Sequence, residues 1–274
     1  MRGRRVSERE VECAGTMTRL LEVGPGDGPP LVLLHGVLSF GASWAGVMPK
    51  LAAKHRVAAP DLPLHGRTLT PPAFDMGPEG MTAWLGALMD ALGAPVADIC
   101  GLSMGGAVAA HFAARRPARV RRLVLVDAAN VVPLAEPYSG MLGMVQTRLK
   151  AEIDSGGAAE DGAGPADIAG EFGEDPIIMG VLVYVQAQGI PLRQLAAGLG
   201  LLEPLGREGL SRITVPTLAI WGSEDPYFPA KPAAKALHDG LPNGRVEVLK
   251  GIGHNPVDEA PAAFLRLLEG FLDA

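Results

Sequence analysis

Gly101-Leu102-Ser103-Met104-Gly105 decides how this chain is read. The apolar run Val96 to Cys100 precedes it, and the small-residue segment Gly106 to Arg116 follows it. The first reads as a strand and the second as a helix, so the serine falls on the turn between them. Glycine two residues away on each side has a physical reason. The turn strains the serine backbone, and a β-carbon on either flank would strike the neighbouring elements. The strain lifts the hydroxyl out of the sheet and aims the Met104 N–H at the same point in space. Five residues are few enough to match by chance, so the partners of the serine carry the argument further.

A serine hydroxyl is a poor nucleophile until a base removes its proton, and the base should be a histidine held by a carboxylate. Six histidines are present. His254 stands in Gly251-Ile252-Gly253-His254-Asn255-Pro256, a loop after the last strand that can carry an imidazole over the sheet's carboxyl edge. Asp225 stands in Trp221-Gly222-Ser223-Glu224-Asp225-Pro226, directly after an apolar strand. The order Ser…Asp…His is the one this architecture requires. Glu224 would replace Asp225 only if its loop turned differently. Asp127 ends another strand and reads as a turn residue. His55, His111 and His238 read as surface or packing residues.

Outward from the motif, strands are expected at Val6 to Cys13, Thr18 to Val23, Leu31 to Leu34, Arg56 to Ala59, Ala97 to Leu102, Arg122 to Val126, Thr217 to Trp221 and Arg245 to Leu249. Helices are expected at Ala42 to Lys54, Gly80 to Leu92, Gly105 to Ala114, Pro229 to Leu237 and Pro261 to Leu272. In the second of these Met81, Trp84, Leu85, Leu88, Met89 and Leu92 form one apolar stripe. The alternation stops between Val131 and Leu210, where helical fragments, the acidic glycine-rich Asp154 to Asp175 and the apolar Ile177 to Val185 stand. The expectation is therefore an α/β fold: a mostly parallel sheet of about eight strands flanked by helices. Residues 1–130 and 211–274 would form the core, and 131–210 an inserted helical cap or lid.

Composition removes other classes. The chain has 274 residues, 48% of them hydrophobic, and a net charge of −6. That balance argues against a nucleic-acid surface. The two cysteines, Cys13 and Cys100, show no C-x-x-C pattern, so a reducing compartment without a disulfide is expected. No signal peptide and no membrane span is read, which gives a cytoplasmic protein. Gly24-Pro25-Gly26-Asp27-Gly28-Pro29-Pro30 resembles a nucleotide loop, but no helix can start through the two prolines. Metal spacing and a P-loop are both missing from the sequence. The expectation is no cofactor, no metal, a small-molecule substrate, and a monomer or homodimer.

The chain resembles the α/β-hydrolase fold superfamily. His35-Gly36, Asp61-Leu62-Pro63-Leu64-His65-Gly66-Arg67, Gly101 to Gly106, Trp221 to Asp225 and Gly253-His254-Asn255-Pro256 carry the resemblance in order. It implies Ser103 as nucleophile, His254 as base and Asp225 as orienting acid; Asp127 is a second position from which a carboxylate reaches the histidine in some members, with the turn residue the favoured reading. The backbone N–H groups of Val37 and Met104 would form an oxyanion hole, each such donor contributing on the order of 3 kcal/mol. His35 resembles a structural histidine, and His65 with Asp61 a loop-fixing element. Leu64 departs from the glycine usual there. Serine at position 103 makes the aspartate-nucleophile dehalogenases and epoxide hydrolases poor matches.

The pocket is expected to draw on Leu38, Phe40, Tyr138, Met141, Met144, Tyr184 and Phe228, beside Met104. Few basic residues occur in the insertion, so a strongly anionic substrate is not expected. The leading reading is a serine hydrolase acting on an ester, thioester, lactone or C–C bond of a small to medium apolar carbonyl compound. A cofactor-free lyase, cyclase or perhydrolase using the same pocket is the alternative. A catalytically silent binder is a third class, against which the complete triad weighs.

Overall fold

A computed structural model describes residues 6–25, 28–136, 138–140, 143, 147 and 192–274. Eight strands appear among these: β1 (Ser7–Cys13), β2 (Thr16–Val23), β3 (Leu31–Leu34), β4 (Val57–Pro60), β5 (Ala97–Leu102), β6 (Val120–Val126), β7 (Thr217–Gly222) and β8 (Gly244–Leu249). They form one sheet in the order β1-β2-β4-β3-β5-β6-β7-β8. β2 runs antiparallel to β1 and β4, and all later pairs are parallel. The order places β3, β5, β6 and β7 side by side, so the loops after them open at one carboxyl edge.

The inner parallel strands β3 to β7 are largely buried on both faces, as their apolar runs require, whereas β8 at the sheet edge stays partly exposed. Alternate residues enter different cores. Val32 and Leu34 of β3, Leu123 and Leu125 of β6, and Trp221 of β7 face one core. Leu31, Leu33, Val124, Val126 and Ile220 face the other.

Helices among the described residues include α1 (Met48–Leu51), α2 (Pro78–Ala91), α3 (Met104–Arg115), α4 (Leu192–Leu199), α5 (Gly206–Ser211), α6 (Ala230–Gly240), α7 (Pro256–Glu259) and α8 (Pro261–Leu272). The stripe of α2, from Met81 to Leu92, is buried throughout in the first core. Trp84 Nε1 donates to Thr18 Oγ1 at 2.9 Å, so the indole packs without an orphaned donor. Phe264, Leu265, Leu268 and Leu272 of α8 join Trp44, Met48 and Leu51 in the second core.

One expected helix differs. Ala42 to Lys54 is not continuous: a 3-10 stretch covers Gly41–Gly46, and α1 begins separately at Met48. Pro49, which brings no N–H, sits in the first turn of α1, where a missing donor is tolerated, and starts a new helix there.

Most of the expected cap falls outside the described residues, including Asp154 to Asp175 and Ile177 to Val185. Its far end returns as α4, where Gln194 Nε2 donates to the carbonyls of Pro71 at 2.7 Å and Phe74 at 3.1 Å. No helix among the described residues is long and apolar enough to cross a membrane.

Candidate active site

Ser103 occupies the turn between β5 and α3 with φ 52° and ψ −116°. An L-residue holds that backbone only where its surroundings fix it. Here Ser103 N–H donates to Val126 O at 2.9 Å, and its carbonyl accepts from Ala107 and Ala129. The flanking glycines are required by contact. A β-carbon on Gly101 would lie 2.3 Å from Gly105 O, and one on Gly105 2.3 Å from Leu34 O. The side chain therefore stands at the amino end of α3, where the first-turn N–H groups and the helix dipole favour negative charge.

His254 is brought in by the loop after β8. Its Nδ1 lies 2.9 Å from Asp225 Oδ2, and Asp225 is buried while the imidazole keeps 21% side-chain exposure. The other oxygen of Asp225 accepts the N–H groups of Tyr227 at 2.8 Å and Phe228 at 3.1 Å. An ionised carboxylate only accepts, so Nδ1 carries the proton and Nε2 keeps its lone pair. The two loops can meet because β7 ends in glycine: a β-carbon on Gly222 would sit 1.9 Å from Gly253 O. Glu259 brackets the histidine from behind, accepting Gly253 N–H at 2.7 Å and Asn255 N–H at 3.0 Å. Tyr227 meets the ring at 5.0 Å in a T-shaped contact, and Phe228 lies 5.7 Å from it.

Ser103 and His254 line one cavity of about 160 Å³ with Gly36, Val37 and Leu102. Its remaining walls come from Ser39, Ser43, Trp44, Asn255, Val257 and Asp258. The Val37 loop is held by His35, which is fully buried. Leu62 N–H donates to His35 Nε2 at 2.9 Å, so Nδ1 is the protonated nitrogen and donates to Gly36 O at 2.7 Å. Burial, and then the neighbouring His65, lowers its pKa to about 3, so it stays neutral. Asp61 fixes the same region, accepting from Gly41 N–H at 2.7 Å and Arg67 N–H at 2.8 Å and pairing with Arg19. Leu64 adopts φ 63°, the left-handed conformation a glycine would take without strain, and its N–H donates to Thr70 Oγ1 at 2.8 Å.

Other pocket expectations divide. Met104 is buried at the start of α3. Leu38, Phe40, Tyr138 and Phe228 are not among the residues lining this cavity. Phe40 is 48% exposed, whereas Phe228 is buried behind His254. Tyr138 reaches the site indirectly, its ring meeting that of Tyr227 at 4.8 Å in a tilted contact. Met141, Met144 and Tyr184 lie outside the described residues. Tyr227, Glu259, Ser43 and Asp258 were not expected from the sequence. Asp127, read as a turn residue, does take a turn backbone with φ 41°, but its carboxylate is fully buried close to Asp225 and His254.

Comparison with known proteins agrees with this architecture. Over 250 residues the chain is 29% identical to a pimeloyl-[acyl-carrier protein] methyl ester esterase of Aeromonas hydrophila, covering 90% of this chain and 96% of that protein. It is 42% identical over 126 residues to a 2-hydroxy-6-oxo-2,4-heptadienoate hydrolase of Pseudomonas putida, 45% of each. Among solved structures, the carboxylesterase CesB of Bacillus subtilis matches with a TM-score of 0.72 and 21% identity, over 98% of this chain and 92% of that one. Residues 29–172 match the family described as the alpha/beta hydrolase fold, and the chain belongs to that family.

Proposed function

We propose that the protein is a serine hydrolase of carboxylic esters. In this reading His254 takes the Ser103 proton through Nε2, and Ser103 Oγ attacks the substrate carbonyl to form an acyl-enzyme. Asp225 holds the imidazole and offsets the charge it acquires. The N–H groups of Val37 and Met104 receive the developing oxyanion. His254 then protonates the leaving alkoxide, activates a water, and a second pass releases the acid. The observation that carries the reading is the 2.9 Å contact from Asp225 to an imidazole lining the same cavity as Ser103.

The cavity also bears on the substrate. Among the described residues its lining contains no Lys or Arg and does contain Asp258. That favours a neutral acyl group over a carboxylate such as a dienoate, although the Pseudomonas relative named for a heptadienoate shares 42% identity over 126 residues. A volume of about 160 Å³ suits a short chain. Thioesters and lactones present the same carbonyl.

The test is incubation with a fluorophosphonate followed by peptide mapping. The expected adduct sits on Ser103, and its formation is lost in His254→Ala. Labelling elsewhere, or none, rejects the reading and leaves a silent binder. Turnover of p-nitrophenyl acetate then separates hydrolysis from a lyase or cyclase using the same residues.

A further inference from the structure

Asp127, at the carboxyl end of β6, is a buried acidic group that the reaction above does not use. Its side chain is fully inaccessible. Oδ1 accepts the Gly222 N–H at 3.0 Å, which ties it to the strand that delivers Asp225. Oδ2 is buried and finds no hydrogen-bond donor among the described residues. One ligand atom each from Asp127, Asp225 and His254 lie within 4.8 Å of one another. The titratable groups facing Asp127 are Asp225 on the β7 loop, Glu259 on α7 and His254 on the loop before it. No arginine or lysine pairs with it among the described residues.

An ionised Asp127 would therefore set a second buried carboxylate within 4.8 Å of that of Asp225 with no cation between them among the described residues, a like-charge contact that disfavours ionising both. A proton resolves both problems. It removes one charge and turns the orphaned oxygen into a donor facing a carboxylate that can accept. We propose that Asp127 is held as a neutral carboxylic acid that donates its proton to Asp225 and so acts as a positioning residue for the Asp225–His254 pair. Burial, then the charge of Asp225 and Glu259, acts in this direction and raises Asp127 to about 10, against the opposing Gly222 N–H. The proposal rests on the triad reading for its catalytic consequence, but not for the protonation itself.

The two consequences are measured separately. Infrared difference spectra of the full chain at pH 7, wild type against Asp127→Asn, report protonation. The expected result is loss of one carboxylic acid C=O stretch in the variant. A difference showing only a lost carboxylate band overturns the proposal. The pH profile of kcat/KM with p-nitrophenyl acetate reports the hydrogen bond. In Asp127→Ala, Asp225 loses a donor and holds the imidazolium more firmly. The acid limb should then move upward by about half a pH unit, with kcat down about tenfold from misplacement. Asp127→Asn supplies an amide donor of the same shape and should return the limb to its wild-type position. An acid limb that moves downward in both variants means that a charge was removed, and overturns the proposal. A limb that stays put in both means that Asp127 only packs, and also overturns it. If Asp127→Ala does not fold, the infrared result and the Asn limb still decide. Full activity in Asp225→Asn would sink the triad reading while leaving the infrared result to stand or fall alone.

Discussion

His254 and Asp225 are joined by a 2.9 Å hydrogen bond between elements 29 residues apart, and the carboxylate in it is buried. That bond sets the tautomer of the imidazole. Asp225→Asn keeps the shape but offers an amide that can donate to Nδ1 and push the proton to Nε2. The expected loss in kcat is about 10⁴-fold, with Tm nearly unchanged, read from ester hydrolysis and calorimetry.

Glu259 accepts two backbone N–H groups on either side of His254. Glu259→Ala leaves both to solvent and frees the loop. Stability should fall by about 1–2 kcal/mol, and kcat should fall about tenfold more than KM rises. Glu259→Gln, which still accepts through its carbonyl oxygen, should lose less in both. A kcat equal to wild type in Glu259→Ala would show that the loop holds the ring without it.

Gly222 and Gly270 make a matched pair. A β-carbon on Gly222 meets Gly253 O at 1.9 Å, whereas one on Gly270, inside α8, meets nothing within 4 Å. Gly222→Ala must part the acid and histidine loops, so hydrolysis should fall steeply and stability by more than about 2 kcal/mol. Gly270→Ala should instead gain about 0.5–1 kcal/mol from helix propensity. Denaturant titration of both variants checks the contrast.

Acid stability follows from three buried histidines. Burial depresses His35 to about 3, His65 downward, and His111 to about 4. Each binds a proton less readily in the fold than in the unfolded chain, where a histidine titrates near 6.5. The unfolded chain therefore binds more protons between these limits, and stability falls as pH drops below 6.5. Tm measured from pH 7 to pH 4 should decline, and His111→Gln should flatten the decline. A Tm independent of pH over that range would contradict the burial of these rings.

Much of this was legible in the sequence. The inner strands β3 to β7 stand where the apolar runs placed them, because a strand covered on both faces is apolar at nearly every position, whereas β1 and β8 are largely exposed. The serine turn was legible because only glycine tolerates its crowding, and Asp225 and His254 because each sits in a short loop just past a strand. What was missed arises from contacts between distant segments. Ser43 and Asp258 reach one cavity from residues far apart in the chain, with no shared periodicity. Asp127 has the local signature of a turn, and its φ of 41° bears that out. The resemblance also offered it as a second carboxylate position near the histidine, but its surroundings come from β7 and α7, which no local pattern reveals.

The most direct measurement is the kcat of Ser103→Ala and His254→Ala on p-nitrophenyl acetate, each confirmed as folded by calorimetry. Residues that act as a unit should each lower kcat by at least about 10³-fold, and the double variant should lose little more than either alone. Retention of most of the wild-type rate by either folded variant would contradict the account.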